Sequence, residues 1–375
     1  MNELTPDQIA ALQTKFLAWY EQEKRNLPWR YNHDPYRIWI SEIMLQQTRV
    51  DTVIDYFYRF MEAFPTINDL ASAPEEKLLK QWEGLGYYSR ARNLQAAAQQ
   101  IMTDFGGQMP DSLEAIRTLK GIGPYTAGAI ASIAFNLPEP AIDGNVMRVV
   151  SRLFEIEADI AKPASRKIFD EKMRQIISLT APGDFNQALM DLGSSICTPK
   201  TPQCSSCPLQ TFCAAYQHGT MEKFPIKSKK PKPKDVYYVA GIMENPQHEF
   251  LLQKRAASGL LANMWLFPLR EVSQGEFDAL KNETELDLFA IAEEAPTIFP
   301  EYDVVWQKKV IGEVTHVFSH LKWHVLIFYG RTSKVQLPPK NAVWAKKEQF
   351  SEFVFPKPQQ KIIASWQKYL QANNH

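Results

Sequence analysis

The sequence predicts a multi-domain chain, all-α over about residues 1–220 and α+β over about 236–370. Three observations carry this prediction. Upstream of residue 220 the apolar residues recur mostly at helical spacing. Downstream, VYYVAGIM (236–243), EFLLQKR (249–255) and WHVLIFYG (323–330) are β-branched and aromatic, the composition of strands. Between them, MEKFPIKSKKPKPKD (221–235) interleaves lysine with proline, which opposes helix and favours an extended, solvated linker. The lysines of that run serve either solubility alone or contact with phosphate as well.

Composition bounds what such a chain does. With 375 residues, 45% hydrophobic and 12% aromatic, it has material for two or three cores. No apolar run approaches the length of a membrane helix, and MNELTPDQ lacks a charged-then-apolar signal pattern, so no membrane association and a cytoplasmic location are expected. The net charge is zero, with 21 basic and 25 acidic residues in 1–220 and 6 basic and 1 acidic in 221–234. Global charge gives no support for nucleic-acid binding, which must come from local placement.

Along the chain, the first chemically informative segment surrounds Glu42. Ile40, Ile43, Met44, Val50, Val53, Ile54 and Phe57 follow helical spacing, and Trp39 and Leu45 flank Glu42 at i−3 and i+3. An apolar setting raises a carboxyl pKa, so Glu42 is a candidate proton donor near neutrality. A surface glutamate on the same helix would find no basic partner at i+4. Further on, Gly84-x-Gly86-Tyr87-Tyr88 reads as a turn-rich segment, where an aromatic ring is less readily buried in a core.

The stretch LKGIGPYTAGAIASIAFNLPEPAIDGN (119–145) is richer. One apolar-periodic segment ends at Leu119-Lys120, Gly121-Ile122-Gly123-Pro124 forms a tight turn, and an Ala-rich helix runs from Tyr125 to Phe135. Without Cβ atoms, Gly121 and Gly123 let backbone N–H groups approach a phosphate at a helix start. Such a hairpin holds a strand without reading its sequence, although a plain helix–turn–helix corner has the same pattern. Asp143 precedes Gly144-Asn145 and the helical pattern VMRVVSRLF, the position of an N-terminal cap.

All four cysteines, Cys197, Cys204, Cys207 and Cys213, fall within 17 residues as C-x6-C-x2-C-x5-C. Such clustering in a chain expected to be cytoplasmic predicts a metal site rather than a disulfide framework. Four thiolates suit structural zinc or a cubane iron–sulfur cluster.

LKGIGPYTAGAI, the following IDGN and the cysteine loop together resemble the helix–hairpin–helix DNA glycosylases with an iron–sulfur cluster, the group containing endonuclease III, over about residues 5–220. LPWR (27–30), WISEIMLQQTRV (39–50) and GLGYYSRARNL (84–94) are similar to its adenine DNA glycosylase branch. NMWLFPLRE (263–271) and THVFSHLKWHV (315–325) resemble the MutT-like, Nudix-fold module of that branch. The carboxylate-rich helix with which Nudix hydrolases hold magnesium is not found, so the resemblance implies the fold without that chemistry.

The resemblance implies a glycosylase domain (1–220) with its helix–hairpin–helix at about 113–135 and a 4Fe–4S cluster on the four cysteines (197–213), a basic linker (221–235) and an 8-oxoguanine recognition domain (236–370). Its substrate is double-stranded DNA with adenine opposite 8-oxoguanine or guanine, bound by a monomer. The resemblance also implies that Glu42 protonates adenine N7, that Asp143 stabilises the sugar cation electrostatically or through a transient covalent bond, and that Asn145 helps to arrange it. Tyr125 stands where bifunctional relatives carry a nucleophilic lysine, implying base removal without strand cleavage. Trp29, Arg30 and Leu45 surround the flipped adenine, Gln47, Thr48, Leu85 and Tyr87 occupy the gap and the opposite base, and Phe318, Ser319 and His320 contact 8-oxoguanine. A non-catalytic cluster-bearing DNA-binding protein, a pyrimidine-specific lyase of the same fold and a Nudix pyrophosphatase are the competing readings.

Overall fold

The structure is a computed structural model that describes residues 3–229, 231–286, 298–307, 309–335 and 337–373. The chain divides into two compact units, one of residues 1–81 with 89–229 and one of residues 82–88 with 230–375.

The first unit is helical: α1 (Pro6–Glu23), α2 (Pro35–Leu45), α3 (Val50–Ala63), α4 (Ile67–Ser72), α5 (Glu75–Gln81), α6 (Ser89–Asp104), α7 (Leu113–Thr118), α8 (Pro124–Phe135), α9 (Gly144–Phe154), α10 (Arg166–Ile176), α11 (Pro182–Ser195) and the short α12 (Ala214–Gln217). Their starts follow local chemistry. Thr5 and Gln8 form a capping box ahead of α1, Asp34 accepts from the Tyr36 N–H at the start of α2, and proline opens α1, α2 and α8. Leu12 and Phe16 of α1, Val150 and Phe154 of α9, Phe169 of α10, and Phe185, Leu189 and Leu192 of α11 share one core.

The apolar spacing from Ile40 to Phe57 reads as a single helix, but the structure breaks it in two. Gln47 adopts a left-handed conformation (φ 60°) between α2 and α3, which no helix continues through. The Arg90 side chain then closes the end of α2, where its Nη1 donates to the carbonyls of Ile43 (2.8 Å), Met44 (3.1 Å) and Gln46 (2.6 Å). A guanidinium there satisfies orphaned carbonyls and opposes the negative end of the helix dipole.

The basic segment 221–235 is not the uniformly extended, solvated linker that its composition predicts. Met221–Lys223 form a 3-10 turn, the Ile226 carbonyl accepts from the Ile160 N–H at 3.0 Å, and the Ser228 N–H donates to Asp159 Oδ1 at 3.1 Å. Lys234 already belongs to the first strand. Backbone groups of a Lys/Pro run still seek partners, and neighbouring loops supply them.

The second unit holds β1 (Lys234–Glu244), β2 (Glu249–Lys254), β3 (Trp265–Leu266), β4 (Leu269–Val272), α13 (Gln274–Leu286), β5 (Val305–Trp306), β6 (Gly312–Val317), β7 (Leu321–Arg331), β8 (Ala342–Lys346) and α14 (Lys357–Asn373). The strands form one mixed sheet in which β1 runs parallel to β7, from Lys234 opposite Leu321 to Glu244 opposite Arg331. β1 also pairs antiparallel with β2 and β4, and β7 with β5 and β6. Both faces are covered. Ala240, Ile242, Val325 and Ile327 pack with Ile362 and Trp366 of α14, while Val239, Met243, Leu326 and Phe328 pack with Phe277 and Leu280 of α13. The alternation follows from the two-residue period of a strand.

Candidate active site

Glu42 is the centre of the site. Ile38, Trp39, Ile40, Ser41, Ile43 and Met44 of α2 are all buried, so the helix is enclosed on nearly every side and Glu42 is only 5% exposed. Burial pushes its carboxyl up to about 7, with Asp143 adding in the same direction; the Tyr125 hydrogen bond and Arg30 oppose the rise. The Tyr125 hydroxyl donates to Glu42 Oε2 at 2.6 Å. Burial and the neighbouring carboxylates hold the Tyr125 phenol well above its ordinary value, so it remains a proton-bearing donor.

Tyr125 reaches Glu42 because α8 packs on α2. The turn before α8 places Gly121 at φ 77°, and a Cβ there would lie 2.6 Å from the Asn93 Cβ. Gly123 occupies the cap position of α8 with no side chain capping it, which leaves first-turn N–H groups for an anion. Later in α8, a Cβ on Gly128 would lie within contact distance of the Pro140 carbonyl. The segment leading to Asp143 therefore lies directly against the helix that carries Tyr125.

Asp143 caps α9, with Oδ1 accepting from the Val146 N–H at 2.7 Å and Oδ2 from Asn145 Nδ2 at 2.9 Å. Burial raises its pKa and these donors limit the rise. Asn145 Oδ1 accepts in turn from Arg148 Nη2 at 2.9 Å, and Arg148 Nε donates to the Cys197 carbonyl at 2.8 Å. The cap and the catalytic candidate are thus one residue, whose orientation is fixed by its own helix.

A pocket of about 770 Å³ gathers these groups. Trp29, Arg30, Glu42, Leu45, Gln47, Thr48, Gly121, Gly123, Tyr125, Asp143 and Asn145 all contribute to its wall. The remaining candidates for DNA contact belong to the second unit. Leu85 is buried, whereas Tyr87 is 46% exposed at φ 48° in the turn-rich segment 82–88. Phe318, Ser319 and His320 form the β6–β7 turn. The Phe318 ring packs edge-on against Trp323 at 5.0 Å, and the Ser319 and His320 side chains are exposed and 3.2 Å apart.

Sequence reasoning missed Gln46, Gln187 and Asp191. Gln46 Nε2 donates to Thr126 Oγ1 at 3.3 Å, and Gln187 is buried in the pocket wall. Asp191 is buried and accepts from Arg30 through Nη1 (2.7 Å) and Nη2 (3.1 Å), and from Arg25 through Nε (3.0 Å). One signal for it existed: Asp191 falls in the apolar stripe of α11, between Leu189 and Leu192, with no basic residue three or four positions away.

The four cysteines line one cavity together with Arg152, Leu192, Ile196 and Leu209. None forms a disulfide. Arg152 Nη1 donates to Cys197 Sγ at 3.3 Å, and backbone N–H groups of Leu209, Ala215 and Tyr216 point at Cys207 and Cys213. Burial pushes the Cys207 thiol up to about 12 and that of Cys213 to about 11. Thiols so placed ionise only against a strong positive charge, and the surrounding donors suit thiolates bound to one. Among the described residues no three ligand-type side chains are grouped as a single metal ion requires.

Two family models match the chain: the HhH-GPD superfamily of base excision DNA repair proteins over residues 40–175, and the NUDIX domain over residues 239–365. The adenine DNA glycosylase of Mus musculus is 35% identical, across 97% of this chain and 79% of its own length. That of Homo sapiens is 34% identical, across 96% and 74%. Among solved structures, a thermostable thymine-DNA glycosylase superposes over 58% of this chain and all of its own, at 28% identity and a TM-score of 0.53. A trapped endonuclease III–DNA covalent intermediate does so over 58% of this chain and 99% of its own, at 25% identity and 0.50. Among the described residues no helix is long and apolar enough to cross a membrane. With both domain models in order and a third of its residues shared over nearly its whole length, the chain belongs to the adenine DNA glycosylases, base excision repair enzymes that join an HhH-GPD domain to a Nudix-fold domain.

Proposed function

We propose that this chain acts as a monomer in the cytoplasm on double-stranded DNA, removing adenine paired with 8-oxoguanine or guanine and leaving the strand intact. The bond from the Tyr125 hydroxyl to Glu42, in a pocket that also holds Asp143 and, among the described residues, has no lysine in its wall, carries this reading. An amine nucleophile would form a Schiff base with the sugar and lead to strand cleavage; a phenol with a raised pKa does neither.

The chemistry follows from the two carboxyl environments. Adenine leaves poorly as an anion, so a proton must reach its N7. Glu42, protonated up to about pH 7, delivers it from an apolar wall. As the glycosidic bond stretches, positive charge builds on the sugar, and the Asp143 carboxylate, oriented by Val146 and Asn145, stabilises it. Glu42, now ionised, accepts a proton from the incoming water. Trp29, Arg30 and Leu45 hold the extruded base, Gln47, Thr48, Leu85 and Tyr87 fill the gap and meet the opposite base, and the Gly121–Gly123 hairpin grips the backbone.

Cys197, Cys204, Cys207 and Cys213 would hold a 4Fe–4S cluster. A cluster takes one cysteine per iron, and the four thiols line one shared cavity. It would supply the positive charge that keeps these thiols ionised and the 197–213 loop folded. The second unit, from about 236, would read 8-oxoguanine through Phe318, Ser319 and His320.

Single-turnover reactions on a duplex with adenine opposite 8-oxoguanine test the assignment. Glu42→Gln and Asp143→Asn should each slow adenine release by at least about 100-fold while retaining DNA binding. Strand breaks should appear only after alkali. Normal turnover by either variant, or efficient borohydride trapping of a protein–DNA adduct by the unaltered protein, rejects it.

A further inference from the structure

Asp191 lies outside the roles assigned above, although its carboxylate is among the most strongly bound groups in the helical unit. It is 4% exposed and receives both terminal nitrogens of Arg30, at 2.7 and 3.1 Å, together with Arg25 Nε at 3.0 Å. Arg25 and Arg30 both line the base pocket, and Arg30 also lies over the Tyr20 ring at 5.7 Å. Asp191 itself is not part of the pocket wall, so it acts on the pocket only through these arginines.

The charged and titratable groups that act on Glu42 come from three directions. Tyr125 reaches it from α8, Asp143 lies at the start of α9, and Arg30 follows Trp29 in the Pro28–Arg30 turn. Arg30 is the cation of that set, and it favours an ionised Glu42, the state that cannot donate a proton. We propose that Asp191 is a positioning residue for adenine excision: by pairing bidentately with Arg30 it fixes the guanidinium in the pocket wall and cancels its charge, so that Glu42 keeps its proton beside a cation. The inference rests on the reading of Glu42 as proton donor.

Burial by itself would raise the Asp191 carboxyl, but the bonds from Arg30 and Arg25 override it and hold the group below its ordinary value. Asp191 therefore remains an anion wherever Glu42 titrates. The arrangement also resolves a conflict of requirements: a guanidinium has five donors with which to grip a polar base edge, yet a bare one would ionise the acid beside it.

The pH dependence of single-turnover adenine release separates this role from a structural one. In the unaltered protein the rate should fall as pH rises through about 7. Asp191→Asn leaves Arg30 uncompensated and should move that fall to lower pH by about one unit, whereas Arg30→Gln removes the cation that acts on Glu42, leaves Asp191 paired with Arg25 alone, and should move it to higher pH. The Arg30→Gln/Asp191→Asn pair should return it near its original position, and Asp191→Glu should keep it there. Loss of rate in both single variants with an unmoved profile overturns the proposal. Should Asp191→Asn not fold, the direction of the Arg30→Gln shift still decides. Undiminished adenine release by Glu42→Gln would instead refute the proton-donor reading itself, with Asp191 intact.

Discussion

At the scale of single residues, Glu42 is placed where function and stability conflict. Its ordinary pKa of 4.5 rises to about 7 in the folded state. Below pH 4.5 it is protonated whether folded or unfolded and carries no penalty. As pH rises from 4.5 toward 7 the unfolded chain ionises it and the folded one does not, so stability falls; above about 7 the full cost, on the order of 3 kcal/mol, is present. Glu42→Gln removes that cost and keeps an acceptor for the Tyr125 hydroxyl. The variant should melt higher than the unaltered protein at pH 8, and the gap should close as pH approaches 4.5, as paired thermal melts across that range would record. The same substitution that should slow adenine release would thus stabilise the fold. An exposed or ion-paired glutamate would show no such gap.

At the scale of elements, the site depends on how closely α8 approaches its neighbours. A methyl group on Gly128 would collide with the Pro140 carbonyl, backbone against backbone, so Gly128→Ala must displace the segment that ends at Asp143. It should lower stability by about 2 kcal/mol and slow adenine release, since a shift on the order of 1 Å is costly to catalysis. Gly123→Ala differs: among the described residues nothing lies within 4 Å of its added Cβ. That variant should melt within about 0.5 kcal/mol of the unaltered protein yet bind duplex DNA several-fold more weakly, because the open space is what a phosphate would enter. Melting and DNA titration of both variants would distinguish packing from phosphate contact. Equal DNA affinity for Gly123→Ala and the unaltered protein would remove the hairpin from the interface.

At the scale of the whole molecule, the proposed function divides between two units of different class. The helical unit contains every group assigned to bond cleavage, while the sheet unit contributes an exposed turn at Ser319 and His320. Excision and choice of the opposite base should then be separable. Replacing Ser319 and His320 together by alanine should lower the preference for 8-oxoguanine over guanine opposite adenine by about tenfold, the worth of roughly one or two hydrogen bonds. Adenine release opposite guanine should change little, and base-opposite kinetics measure both. An unchanged ratio would take the β6–β7 turn out of damage recognition.

Local patterns along the chain set much of this protein. Two glycines before a proline at 121–124, an aspartate before Gly144-Asn145, a four-cysteine loop and β-branched runs after residue 235 each act within a few residues. Turns, caps and strands obey such short-range rules, so α8, α9, β1, β2 and β7 begin and end close to where the sequence implies. Helical periodicity alone could not locate the break at Gln47, because the apolar stripe keeps its phase across it and only the turn conformation reveals two helices. Nor could it reveal that the early part of the Lys/Pro run is tied to Asp159 and Ile160, or that Arg90 closes α2 from 47 residues beyond Ile43. The environment of Glu42 belongs to the same class. Its identity and apolar neighbours are written in the sequence, but its pKa results first from burial and then from Tyr125, Asp143 and Arg30, with Asp191 behind Arg30. Electrostatic energies depend on distance and solvent exclusion among groups far apart in the chain, and only the tertiary structure sets those.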